Sequence, residues 1–151
     1  MTETNNNAPT VNLILEVGAK IPEYAHSNDI GADLFAYEDS ALKRGEIKAI
    51  YTGIKIALPT GWGGFILEKS GLALKGVQVM GGVIDTGYRG EIKVILRNVS
   101  DGYFFIKKGM KIAQLEIRPV YQATFIEVAE LDVTARNESG FGSTGFYAPI
   151  I

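Results

Sequence analysis

Five stretches of this chain combine residue types suited to holding or cleaving a phosphate. Near the C-terminus, Ser139–Gly145 reads SGFGSTG, with Arg136 just upstream. Glycines give the backbone φ freedom and open N–H groups, and short hydroxyls add donors, so such a stretch can wrap an anion. Lys69-Ser70-Gly71 opens a short helical pattern, SGLALKG, and would present unpaired N–H groups beside an ammonium. In VIDTGYRG an apolar run ends at Asp85, Thr86-Gly87 turns, and Tyr88 begins a return strand. That pattern predicts a β-hairpin whose arms could project backbone groups into a cleft. Asp33 lies in NDIGADLFA and Gln114 in GMKIAQLEI, each among apolar neighbours.

Taken singly, each stretch also has a plain structural account. Asp before Thr-Gly commonly hydrogen-bonds its own turn. Ser70 could simply cap a surface helix that Gly76 ends, and a strand glutamine is often a satisfied core amide. His26 reads as a loop histidine and Trp62 as packing over the Pro59–Gly64 turn.

Composition narrows the chemistry further. The chain has no cysteine and one histidine, which excludes disulfides, thiolate nucleophiles and His-rich metal sites. Its net charge of −2 supplies no global basic field for nucleic acid, so an anionic ligand must be met by local Lys and Arg. The leader MTETNNNAPT lacks the basic and apolar regions of a signal peptide, and no apolar run is long enough to span a bilayer. A soluble cytoplasmic or intracellular protein is therefore expected.

The elements that must position these residues read as strands. Val11–Val17, Ile54–Leu58 and Glu91–Arg97 alternate apolar and polar residues, with Ile92, Val94 and Leu96 on one face. AIYTG, GFILE, YFFI, KIAQLEI and ATFIEV are further β-rich runs, separated by Gly, Pro and Asp turn signals. Many short strands at regular spacing predict one all-β domain, a sandwich, jelly roll or barrel with at most one short helix. Residues 1–10 read as a disordered leader, 11–135 as the β domain and 136–151 as an arm.

In order, DIGADLFA, EKSGLALKG, GGVIDTGYRGE, GMKIAQLEI and ARNESGFGSTG resemble all five motifs of the trimeric dUTPase family. That resemblance implies a jelly-roll-like, β-clip barrel whose C-terminal arm is exchanged between subunits of a homotrimer. It implies hydrolysis of dUTP to dUMP and pyrophosphate with Mg²⁺ on the triphosphate, and no direct nucleic-acid or membrane partner. Asp85 would activate the water that attacks the α-phosphorus. The stretch from Gly81 to Tyr88, including Gly82, Val83 and Ile84, would read uracil through its backbone, with Tyr88 under the deoxyribose. Lys69, Ser70, Gly71 and Gln114 would contact phosphates, and Asp33 would support the metal's water shell. In the arm, Arg136 would bind the γ-phosphate, Phe141 would stack on uracil, and Gly142, Ser143 and Thr144 would wrap the phosphates. Lys69 stands where the family commonly has Arg, and Gly87 where an acidic residue is frequent. Two other readings stay open at this level: a dCTP deaminase on the same architecture, and a non-catalytic nucleotide-binding module.

Overall fold

A computed structural model of the protein describes residues 8–138. The elements run β1 (Asn12–Leu15), β2 (Ala32–Phe35), β3 (Ser40–Leu42), β4 (Ile47–Ala57), β5 (Trp62–Leu67) and α1 (Ser70–Ala73). They continue with β6 (Val77–Met80), β7 (Val83–Ile84), β8 (Glu91–Asn98), β9 (Phe104–Ile106) and β10 (Lys111–Pro119). One sheet has the order β1-β4-β8-β6, a second β2-β10-β5-β7, and β3 pairs with β9 in a separate ribbon. Every pairing is antiparallel. The all-β expectation with one short helix is met.

Alternation explains the layering. Along β8, Ile92, Val94 and Leu96 are fully buried, whereas Lys93, Ile95 and Arg97 face outward. They join Ile50, Ile54 and Ile56 of β4 and Val77 of β6. Leu34, Ile66, Ile84, Ile112 and Leu115 of the second sheet and Leu42 and Ile106 of the ribbon complete the same apolar cluster. Removing this surface from water supplies the main favourable term in folding.

A bulge in β4 sets where the first sheet ends. The β4–β8 register shifts between Tyr51 and Lys55, and Gly53 takes φ 70°. A Cβ there would lie 2.7 Å from the Ala19 Cβ, so glycine is required by both dihedral and space. The displaced Gly53 N–H donates to the Glu91 carboxylate at 2.9 Å, and the buried Thr52 hydroxyl donates to the Ile92 carbonyl at 2.5 Å. β1 pairs with β4 only as far as Leu15↔Ile54. The apolar alternation continues to Val17, but that residue is 94 % exposed because the bulge leaves it no strand to join.

Two expectations are corrected. Lys69, not Ser70, occupies the N-cap position of α1; its backbone stays extended at φ −94°, ψ 125°, and its side chain makes no capping bond. ATFIEV forms no strand. Residues 122–138 belong to a second unit without regular structure, and Phe125 is 94 % exposed. A β-prone run becomes a strand only where a neighbour accepts its backbone hydrogen bonds. Among the described residues, no helix is long and apolar enough to cross a membrane.

Asn98 ties the ribbon to the first sheet. Fully buried, it donates to the carbonyls of Leu42 (3.0 Å) and Gly102 (2.7 Å). Its side-chain oxygen accepts from the Ser100 N–H (3.0 Å) and hydroxyl (2.7 Å), so both donors and both lone pairs are used. Asn98→Ala strands these buried partners, and urea denaturation should show a loss of roughly 2–4 kcal/mol.

Candidate active site

The segment joining β6 to β8 crosses from one sheet to the other. β6 is the outer strand of the first sheet and β7 of the second, and Gly81-Gly82 links them with φ 69° and 111°. The Ile66 N–H donates to the Gly82 carbonyl at 2.8 Å. A Cβ on Gly82 would lie 2.7 Å from the Ile66 carbonyl oxygen, so no other residue lets the chain approach β5 this closely. The simple hairpin expected for this stretch is thus corrected. Val83 and Ile84 pair with Phe65 and Gly64 of β5, while β8 pairs with β4 and β6. No strand lies on the other side of β7 among the described residues, which leaves its outward backbone groups available to a planar polar ligand.

Asp85 follows β7 directly. Its carbonyl accepts the Tyr88 N–H at 3.0 Å, closing a four-residue turn. The Thr86 hydroxyl anchors that turn to the Trp62 carbonyl (2.7 Å), and the Arg89 guanidinium donates to the carbonyls of Thr86 (2.7 Å) and Tyr88 (2.8 Å). The turn is therefore held by backbone and by its neighbours. Among the described residues, nothing hydrogen-bonds the exposed Asp85 carboxylate. The turn-capping account of this aspartate does not hold.

Tyr88 is held at the hydroxyl end of its ring by two features. Its hydroxyl donates to the Glu91 carbonyl at 2.9 Å. Its ring folds over Gly90, where a Cβ would lie 2.6 Å from the ring carbon bearing the hydroxyl. Ile66, Gly82, Val83, Asp85, Tyr88 and Lys93 are among the residues lining a cleft of about 290 Å³.

A second cluster lies at the far end of β5. Asp33 is 4 % exposed on β2 and receives the Lys69 ammonium on one oxygen and the Lys111 ammonium, at 2.7 Å, on the other. Burial pushes its carboxyl up, but the hydrogen bonds and charges of Lys111 and Lys69 outweigh it and hold the carboxyl below its ordinary value. Hydrogen bonding to Asp33 raises Lys111 in turn, with its charge and those of Glu23 and Asp29 adding to the effect. Gln114 pairs with Asp33 in the β10–β2 register and donates from Nε2 to the Glu68 carbonyl at 2.8 Å. It thereby fixes the chain one residue before Lys69. Ser70 and Gly71 start α1 beside that ammonium, with open space around Gly71.

The sequence-derived residues thus fall into two groups. Gly82, Val83, Ile84, Asp85 and Tyr88 surround the cleft, whereas Asp33, Lys69, Ser70, Gly71 and Gln114 gather where β5 runs out. Ile84 pairs with Gly64, so Asp85 lies level with the start of β5, while Lys69 follows its end. Six residues of extended chain separate the two positions, roughly 20 Å at about 3.3 Å per residue. Arg136 belongs to the second unit, inside a turn closed by Thr134 N–H to Asn137 Oδ1 (2.9 Å) and Asn137 N–H to the Thr134 hydroxyl (3.0 Å). Phe141, Gly142, Ser143 and Thr144 lie outside the described residues. Gly90 and Lys111 were missed by sequence reasoning; only the folded Tyr88 ring and the β10–β2 register reveal them.

The chain matches the dUTPase family model over residues 18–145. It is 52% identical over 130 residues to the deoxyuridine 5'-triphosphate nucleotidohydrolase of Clostridium kluyveri, covering 84% of this chain and 91% of that protein. The protein of the same name from Gloeothece citriformis is 47% identical over 134 residues, with 87% and 92% covered. Among solved structures, the Staphylococcus bacteriophage 80alpha dUTPase with dUPNHPP superposes with a TM-score of 0.86 at 28% identity, over 91% of this chain and 99% of that one. A mutant dUTPase of phage phi11 of S. aureus, reported with a structural Mg(II) ion, matches with a TM-score of 0.75 at 27% identity, covering 81% and 98%.

The lowered Asp33 carboxyl makes a stability prediction. A depressed folded-state value contributes stability that is present above the ordinary carboxylate range and lost as pH falls through the folded value. Asp33→Asn should melt below the wild type at neutral pH. The gap should narrow once pH drops under about 4, as thermal melts across pH 2–7 would register.

Proposed function

We propose, from the premise that this chain belongs to the dUTPase family, that it hydrolyses dUTP to dUMP and pyrophosphate. The observation that carries this reading is the exposed Asp85 carboxylate, without a hydrogen-bond partner among the described residues, at a cleft floored by backbone and fenced by a fixed tyrosine. An ionised carboxylate is acceptor-only and can hold a water in line with the α-phosphorus while taking its proton. A carboxylate is a weak base at neutral pH, so positioning and charge neutralisation on the leaving pyrophosphate supply most of the acceleration.

Uracil would lie along the open edge of β7, its O and N–H groups met by the backbone of Gly82, Val83 and Ile84. Cytosine presents the opposite donor and acceptor pattern there and would leave buried groups unpaired, which discriminates strongly. The Tyr88 ring would pack against the deoxyribose and leave no room for a 2'-hydroxyl. Its bond to the Glu91 carbonyl and its seat on Gly90 prevent it from giving way.

The phosphates would be met by Lys69, Ser70, Gly71 and Gln114. Asp85 and this group stand at opposite ends of β5, so one chain does not bring both to one α-phosphate; a site shared between copies in a homotrimer does. The exposed apolar residues after Tyr121, Phe125 and Ile126 among them, support an arm that pairs with a neighbouring subunit. Arg136 and the Phe141–Thr144 stretch would then close over the substrate and exclude water.

Among the described residues, no group of three or more His, Cys, Asp or Glu is arranged to hold a metal ion. A Mg²⁺ would be carried by substrate oxygens and water; the Asp33 carboxylate, buried with an ammonium on each oxygen, would not face its water shell. When bound, the ion neutralises charge on the triphosphate. The proposed role is to limit uracil incorporation into DNA and supply dUMP inside the cell.

Asp85→Asn should keep nucleotide binding and lose about two or more decades in kcat; near wild-type pyrophosphate release would remove Asp85 from the mechanism. Mixing inactive Lys69→Ala chains with inactive Asp85→Asn chains should restore activity after subunit exchange, because some shared sites regain both groups. A mixture that stays inactive would argue for sites within single chains. Gly90→Ala should lower the ratio of kcat/KM for dUTP over UTP about tenfold or more by displacing Tyr88.

A further inference from the structure

Lys69 would bind phosphate, yet its ammonium is already engaged by a buried carboxylate. A negative phosphate and Asp33 compete for the same cation, and the outcome depends on what else holds Asp33. Lys111 does so. It reaches the second oxygen of Asp33 from the start of β10 at 2.7 Å, with 46% of its own side chain exposed against 6% for Asp33. The two lysines therefore divide the carboxylate between them, one oxygen each.

We infer that Lys111 is a positioning residue for substrate binding, one that keeps Asp33 paired so that Lys69 can turn its remaining ammonium donors to a phosphate. The inference rests on the phosphate-binding role given to Lys69 above. A buried carboxylate with a single cation cannot release it without exposing an uncompensated charge to low dielectric, and the cost appears as weaker ligand binding. With Lys111 in place, a partial transfer of Lys69 leaves Asp33 bonded to a second ammonium. Gln114 strengthens the device from the other side by tethering the Glu68 carbonyl, so that Lys69 moves at its side-chain end and not through the backbone.

The test is a double-substitution cycle read by calorimetric binding of dUpNHpp and by steady-state hydrolysis of dUTP. Lys111→Met should raise the Kd for dUpNHpp and the KM for dUTP about five- to tenfold, with kcat changed less than about twofold. Lys111→Arg should restore both constants, since it keeps a cation within reach of Asp33. In an Asp33→Asn background no buried charge needs holding, so adding Lys111→Met should change Kd less than about twofold. Lys111→Gln serves as a second neutral variant should the methionine chain fold poorly. Unchanged Kd in both neutral variants would overturn the inference. So would the same fold-loss in the Asp33→Asn background, which is what a purely structural lysine produces. A wild-type chain that binds dUpNHpp but releases no pyrophosphate from dUTP would sink the proposed reaction while the binding cycle still decides Lys111. Failure of the wild type to bind dUpNHpp would overturn both.

Discussion

The backbone of Gly82 runs against β5 at a distance no side chain tolerates, and the cleft depends on that approach. A carbonyl at 2.8 Å from the Ile66 N–H docks the crossing segment onto the second sheet. The space around Gly82 excludes even a methyl group. Because the segment leaves the edge of one sheet and joins the edge of the other, the two layers are fastened to each other by chain as well as by apolar contact. Everything that follows in sequence inherits its position from this crossing: the short edge strand, the Asp85 turn and the tyrosine folded back over Gly90.

Electrostatics organise the other end of β5. A carboxylate as buried as Asp33 is costly unless each oxygen finds a donor, and two lysines meet that requirement from two different strands' ends. Lys69 makes no capping bond to α1 because an ammonium has no acceptor for the helix N–H groups; its side chain crosses to Asp33 on β2. Gln114 works in parallel. Its amide goes to a backbone carbonyl, so a residue with the pattern of a core amide becomes a strut for the turn that carries Lys69.

These two clusters belong to one sheet but face opposite ends of a single strand, which gives oligomerisation a geometric motive. In the proposed site, a nucleoside near the start of β5 and phosphates near its end would be too far apart for one substrate on one chain. The proposed trimer would satisfy both halves by bringing one subunit's cleft to another's lysine cluster. The run after Tyr121 has strand-forming residues, and among the described residues it pairs with no strand.

Much was legible before folding. Period-two alternation identified β8 and its buried face residue by residue, because a sheet with one wet side imposes that pattern on its sequence. Asp85, Tyr88 and the Lys69 turn stood out only through the joint, ordered resemblance of five stretches to one family's motifs, since each stretch read alone has a plain structural account. What the sequence could not carry was pairing. That Val83–Ile84 joins β5 instead of β8, that β1 stops short of Val17, and that ATFIEV pairs with no strand among the described residues are decisions made by distant backbone groups. Gly90 and Lys111 stayed hidden for the same reason: a glycine matters through the ring laid upon it, and a lysine through a carboxylate on another strand. Local pattern fixes which face of an element is apolar and which residues can react; only tertiary register fixes what each of them meets, because hydrogen bonds and charges act over a few ångströms between residues far apart in the chain.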